Sequence, residues 1–316
     1  MKPVIYSFTD FKPDQVARLR ASAPNYDFIL AQDSPLIPTE RLIGVIGWKR
    51  ALNQTLLSAP DLRWIQTISA GVDYLPWPEI DRRKILVSNG SGIHAQVITE
   101  HVLGIILGYE RGLFGYQRAQ REHQWLTNQF EPDDVAGKKL LIFGAGHIGR
   151  QLARQATALG LHVSGVNTRG EQQTDFEQMY TLTTVKKALV DFDIIVNILP
   201  LTPATTGYFN AAFFADLGSQ AVFINVGRGR SVVTTDLVAA LKRHQFSFAA
   251  ADVFEQEPLT KDSPLWDVPN LMITPHVAGQ VPHFRQKLFA IVQPNLAQFA
   301  SKGTLLINQV DPQRGY

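Results

Sequence analysis

The sequence predicts an α/β protein of two domains with parallel, doubly wound sheets, and three observations carry that prediction. Short apolar strands alternate with helix-sized intervals through the first hundred residues, a second such series begins at Lys139, and 316 residues is a length that favours two domains. In the first series the strands are Pro3 to Phe8, Tyr26 to Leu30, Ile43 to Trp48, Trp64 to Ser69 and Ile85 to Ser88, each bounded by Pro, Asp, Gly or Asn. From Val97 to about Arg121, the spacing of Val97, His101, Ile105, Gly108 and Gly112 fits one helix with a small-residue face. The second series places strands at Lys139 to Phe143, His162 to Val166, Ile194 to Ile198, Ala221 to Asn225, Phe248 to Ala251 and Met272 to Thr274. Amphipathic segments such as Arg150 to Leu159 and Thr235 to Lys242 lie between them. Val281 to Ala300 reads as one long helix, and a kink at Pro294 would take the chain back to the first domain.

Composition narrows the function. A hydrophobic share of 45% with 18% charged residues is that of an ordinary globular protein. Thirty Lys and Arg against 28 Asp and Glu leave a net charge of +2 with no basic block, so neither nucleic acid nor a membrane surface is an expected partner. A small molecule is. The chain has no cysteine, which removes disulfides, thiolate zinc sites and cysteine nucleophiles. No signal peptide and no run of ~18 apolar residues is found, so the expected location is the cytoplasm. No two histidines have a metal-ligand spacing, and no metal is expected.

The strand Lys139 to Phe143 runs into Gly144-Ala145-Gly146-His147-Ile148-Gly149 and then a helical pattern. Glycine is needed first for the turn, second for close approach of backbone to a pyrophosphate, and third for packing helix against strand; the helix N-terminus then offers N–H groups to the phosphates. An NAD site places Asp or Glu about 20 residues further on, where the carboxylate bonds the ribose hydroxyls. Here that position holds Asn167, followed by Thr168 and Arg169, a set suited to a 2′-phosphate. NADPH is therefore the preferred cofactor and NAD the alternative. The competing reading of Arg169 is a solvated loop charge, with Glu171 close by.

Three later segments, Asn225-Val226-Gly227-Arg228-Gly229, Ala251 to Leu259 and Thr274-Pro275-His276-Val277-Ala278-Gly279, join Ser69-Ala70-Gly71-Val72-Asp73 and the glycine motif in one ordered set. Over essentially the whole chain this set resembles the D-isomer-specific 2-hydroxyacid dehydrogenase family. The Asn167-Thr168-Arg169 loop, the compact length and the ending Val310 to Tyr316 look most like its glyoxylate/hydroxypyruvate reductase branch. The resemblance implies two Rossmann-like domains: a substrate domain of residues 1–101 and 285–316, with a dinucleotide domain of residues 102–284 inserted into it. It implies reduction of a short 2-oxoacid, with Arg228, Glu257 and His276 as the catalytic triad, in a homodimer.

The roles fit the residue types. A fixed guanidinium at Arg228 can hold the carboxylate and polarise the ketone. His276 can donate a proton to the carbonyl oxygen, and Glu257 can orient the imidazole and favour its charged form. By the same resemblance, backbone at Gly71 and Val72 binds the substrate carboxylate and Asp252 bonds the nicotinamide carboxamide. Gly144, Gly146, His147, Ile148, Gly149, Pro200, Thr205, Val226, Gly227 and Gly279 are the remaining cofactor contacts. Asn89 and Glu100-His101 match the hinge between the domains, and Trp125 the segment that dimers exchange. Trp48, Trp64 and Trp77 read as core. Two alternatives stay open, a dinucleotide-sensing corepressor and an NAD-dependent dehydrogenase acting on another 2-hydroxyacid. The intact triad favours the enzyme.

Overall fold

The computed structural model describes residues 1–127 and 132–311. The chain divides into two compact units, Met1–His94 with Val281–Tyr316, and Ala95–Gln280.

The smaller unit opens with β1 (Val4–Ser7), α1 (Pro13–Ser22), β2 (Asp27–Leu30), β3 (Leu42–Ile46), α2 (Asn53–Leu57), β4 (Trp64–Gln66), α3 (Trp77–Arg82) and β5 (Leu86–Ser88). Its strands form one parallel sheet in the order β2-β1-β3-β4-β5. Side chains alternate along β1: Val4 and Tyr6 join Val45, Ile65 and Val87 in one core, while Ile5 packs with Leu19 and Trp64 in another. That period of two, with both faces covered, is what a buried parallel sheet requires.

The larger unit contains α4 (Ala95–Glu110), α5 (Leu113–Arg121), β6 (Lys139–Phe143), α6 (His147–Ala158), β7 (His162–Val166), β8 (Gln178–Tyr180), β9 (Ile194–Asn197), α7 (Ala211–Ala215), β10 (Val222–Asn225), α8 (Thr234–Lys242), β11 (Phe248–Ala251) and β12 (Leu271–Ile273). Seven parallel strands run in the order β12-β11-β10-β9-β6-β7-β8. The order reverses between β6 and β9, and an open α/β sheet binds ligands at the carboxyl ends of such a pair. Leu140 and Ile142 of β6 face one core, Leu141 and Phe143 the other.

The division falls before α4, whose Ile98, Val102 and Ile105 share a core with Leu152, Ala153 and Ala156 of α6. Two expectations about helices are corrected. The helix expected over Val97 to Arg121 is two helices, broken at Gly112, whose φ of +65° is left-handed. Gly108 lets them meet: a Cβ there would lie 2.7 Å from the Phe114 ring.

The last helix, α9 (Phe284–Lys302), continues through Pro294 and lies wholly in the smaller unit, so it does not carry the chain between units. Beside the proline, Asn295 is fully buried. Its Oδ1 accepts from the N–H groups of Leu306 and Ile307 at 2.9 and 2.8 Å, and its Nδ2 donates to the Ile307 carbonyl and to Gln66 Oε1. Asn295→Ala leaves two half-buried main-chain donors without their partner, so a loss of about 1 to 3 kcal/mol is expected in urea denaturation. A loss below about 0.5 kcal/mol would show that water replaces the amide.

Candidate active site

The glycine turn has the form its three glycines require. Gly144 has φ +111°, and a Cβ on it would lie 3.1 Å from the Ile198 carbonyl oxygen, where the chains leaving β6 and β9 meet. A Cβ on Gly149 would lie 2.0 Å from the Gly144 carbonyl oxygen, so α6 packs on the turn only with glycine there. A Cβ on Gly146 would meet nothing within 4 Å. That residue caps α6, and His147 and Ile148 form its first turn. Close packing behind and open space in front, over the N-terminus of a 12-residue helix, fit a dinucleotide pyrophosphate.

After β7, Asn167 organises its own loop. Its Oδ1 accepts from the N–H groups of Arg169 and Gly170 at 3.1 and 2.6 Å, and its Nδ2 donates to the Glu171 carbonyl. Thr168 is exposed, and the Arg169 guanidinium, 66% exposed, lies 3.2 Å from Glu171. After β9, Thr205 closes the Leu199 to Thr205 loop: its hydroxyl donates to the Pro200 carbonyl at 2.7 Å and accepts from the Thr202 N–H at 2.8 Å.

Arg228 follows β10 in extended backbone, φ −138°. Its carbonyl accepts from the Ser231 hydroxyl at 2.6 Å, and its guanidinium donates to the Gly227 carbonyl at 2.9 Å. Behind the loop stands a buried set that sequence reasoning missed. Asn197 Nδ2 donates to Asn225 Oδ1 and to Ser231 Oγ, each at 2.9 Å, while Asn225 also accepts from the Gly227 N–H and Asn197 Oδ1 from the Leu199 N–H. The Val226 N–H donates to the Asn197 carbonyl at 3.1 Å. Two asparagines ending adjacent buried strands were the available signal, because an amide there must find partners.

His276 also has left-handed backbone, φ +55°, which costs of order 1 to 3 kcal/mol in a non-glycine residue. Asp252, 3% exposed, holds it there. The His276 N–H donates to the Asp252 carbonyl at 2.8 Å. The Asp252 carboxylate accepts from the N–H groups of Val277 and Ala278 at 2.9 and 3.0 Å and from the Thr274 hydroxyl at 2.6 Å. The acid expected to meet the nicotinamide amide thus also shapes the segment from Thr274 to Ala278 that carries the imidazole.

Glu257 Oε2 lies 2.7 Å from His276 Nδ1, and Glu257 Oε1 accepts from the Phe254 N–H at 2.8 Å. With Nδ1 facing the carboxylate, Nε2 is the other ring nitrogen, of a type able to give or take a proton. The pair is accessible, His276 being 55% and Glu257 33% exposed. All three triad residues, the glycine turn and the Asn167 loop belong to the larger unit.

Gly71 and Val72 belong to the smaller unit, in a loop pinned from several sides. The Ala70 carbonyl accepts from Asn89, the Gly71 carbonyl from the Ser69 hydroxyl, and the Val72 carbonyl from the Trp77 indole. Trp64 is fully buried and Trp48 nearly so, and Trp125 is 93% exposed. The part of the ending from 312 to 316 lies outside the described residues. Among the described residues no helix is long and apolar enough to cross a membrane, and no group of three or more His, Cys, Asp or Glu is placed to hold a metal ion.

Residues 103–278 match the model of the D-isomer specific 2-hydroxyacid dehydrogenase, NAD binding domain. Glyoxylate/hydroxypyruvate reductase B of Salmonella heidelberg is 31% identical over 99% of both chains. Among solved structures, the phosphoglycerate dehydrogenase from Lactobacillus plantarum is 40% identical over 98% of this chain and 100% of its own, with a TM-score of 0.60. The NADPH-dependent glyoxylate/hydroxypyruvate reductase from Sinorhizobium meliloti, solved with NADP and sulfate, is 30% identical over the full length of both, with a TM-score of 0.84.

Proposed function

Because the chain belongs to the D-isomer specific 2-hydroxyacid dehydrogenase family of NAD(P)-dependent oxidoreductases, we propose that it reduces short 2-oxoacids, of the size of glyoxylate and hydroxypyruvate, to D-2-hydroxyacids with NADPH. The observation that carries this reading is the 2.7 Å pairing of His276 with Glu257 in the unit that also bears Arg228 and the glycine turn.

A bound reduced nicotinamide supplies the hydride. The chain's own residues do the rest. Arg228 holds the substrate carboxylate and polarises the ketone. His276 gives its Nε2 proton to the ketone oxygen, and Glu257 keeps the imidazole oriented and favours its charged form. In this reading Asp252 serves both the His276 segment and the cofactor amide. The residues 95–280 form the dinucleotide-binding part and the smaller unit the substrate part. The reading includes a cytoplasmic homodimer, for which Leu107, Leu113 and Trp125 supply exposed apolar surface.

The NADPH preference rests on the Asn167 loop. An exposed ion pair such as Arg169 with Glu171 is worth only about 0 to 1 kcal/mol. Arg169 would exchange that weak partner for the 2′-phosphate of a bound NADPH. Arg169→Ala is expected to raise the KM for NADPH about tenfold and leave that for NADH within about twofold. Equal losses with both cofactors, or a wild type that prefers NADH, would reject it.

The substrate assignment is tested by following nicotinamide absorbance with glyoxylate, hydroxypyruvate, pyruvate and phosphohydroxypyruvate in turn. The last is included because the 40% identical relative carries the name phosphoglycerate dehydrogenase. The highest kcat/KM is expected for glyoxylate or hydroxypyruvate. A preference for the phosphorylated acid would replace this substrate class.

A further inference from the structure

Arg228 and the Glu257 to His276 pair lie on different loops, and the Phe254 main chain lies against Gly229, next to Arg228. An ideal Cβ on Gly229 would lie 1.9 Å from both the carbonyl carbon and oxygen of Phe254, and 2.5 Å from its Cα. A flexible side-chain tip could swing away from such a contact; main chain cannot do so without moving its hydrogen bonds. At its N–H end, Phe254 donates to Glu257 Oε1, and Oε2 of the same carboxylate holds His276 Nδ1.

The Gly229 side of the contact is equally tied. Its carbonyl accepts from the Val232 N–H at 3.0 Å, and Ser231 holds the preceding Arg228 carbonyl through both its hydroxyl and its N–H, at 2.6 and 3.2 Å. The buried Asn197 amide fixes that hydroxyl in turn. On the far side, Glu255 Oε2 accepts the Thr234 N–H at 3.0 Å, which moors the turn carrying Phe254 and Glu257 to the start of α8.

We propose that Gly229 is a positioning residue for His276: by admitting the Phe254 backbone at contact distance, it seats the N–H that aims Glu257 at the imidazole. This rests on the proposed reduction and concerns the same site. The glycine is required for space, since its φ is not in the left-handed range. Glu257 is the charged group in direct contact with the imidazole. The nearby carboxylates have other partners: Asp252 holds Val277, Ala278 and Thr274, and Glu255 holds Thr234. Arg228 and Arg230 are the cations of the facing loop. Displacing the Phe254 main chain therefore changes the environment of His276 chiefly through Glu257.

The test compares Glu257→Gln, Gly229→Ala and the double variant in the full chain. Two readouts are used: NMR titration of the His276 ring, assigned by its absence in His276→Gln, and the pH profile of kcat/KM for 2-oxoacid reduction. Glu257→Gln is expected to lower both midpoints, because the imidazolium loses a charged partner. Gly229→Ala is expected to move them in the same direction, and the double variant no further than Glu257→Gln alone. A Gly229→Ala midpoint equal to wild type, or shifts that add in the double variant, overturns the proposal. Phe254→Pro removes the same N–H with no new atom at position 229, is expected to give the same displacement, and serves if Gly229→Ala does not fold. Ring titration needs no substrate, so absence of 2-oxoacid reduction would count against the proposed function while the titration still decides the role of Gly229.

Discussion

Replacing His276 with alanine is expected to lower kcat for 2-oxoacid reduction by about 10² to 10⁴ while changing the KM for the oxoacid by no more than about threefold. The ketone oxygen gains negative charge as hydride arrives at carbon, and without Nε2–H its proton must come from water. The imidazole does little for ground-state binding in this account, so the loss falls on turnover. Near-normal turnover in steady-state assays of His276→Ala would move the acid to another residue.

Arg228→Ala is expected to fail more broadly. The guanidinium is assigned both the carboxylate and the polarisation of the ketone, so KM should rise and kcat fall, together lowering kcat/KM by about 10³ or more. Arg228→Lys separates charge from shape. It keeps the cation without the planar fork and should recover only part of the loss. The cofactor Kd, measured by fluorescence titration, should change less than about threefold in both variants, since Arg228 is not assigned to the dinucleotide. A lysine variant with full activity would show that a point charge suffices.

Much of this was readable from residue order alone, for a physical reason in each case. The strands β6 and β11 fall within the predicted bounds because near-continuous apolar runs ending in glycine or aspartate mark buried parallel strands. The glycine turn was legible because its chemistry is local: strand, three glycines and helix are contiguous. The short strand β8, Gln178–Tyr180, was not, since none of its three residues is fully buried and such an edge leaves no apolar signature. The break at Gly112 was hidden by apolar spacing that continues in phase across it.

The site was legible in its residues and not in its supports. Arg228, Glu257 and His276 stand in motifs that name them. The Phe254 N–H that holds Glu257 is a backbone group, and a main chain has no letter in the sequence. Gly229 lies 25 positions before Phe254, and their contact arises only when the ends of β10 and β11 are brought side by side. Asp252 shows the opposite limit: its identity was visible, while its bonds to Val277, Ala278 and Thr274 were not, because they depend on the path of the chain after β12.

The central claim, direct hydride transfer to the carbonyl carbon of a 2-oxoacid with His276 supplying the proton, is tested most directly by reducing hydroxypyruvate with NADPH carrying deuterium on its transferable position and examining the product by NMR and chiral chromatography. The account requires D-glycerate with deuterium at C2, none of that label lost to water, and product formation slowed by about 10² or more in His276→Ala. L-glycerate, deuterium washed out into solvent, or turnover unchanged by removal of the imidazole would contradict it.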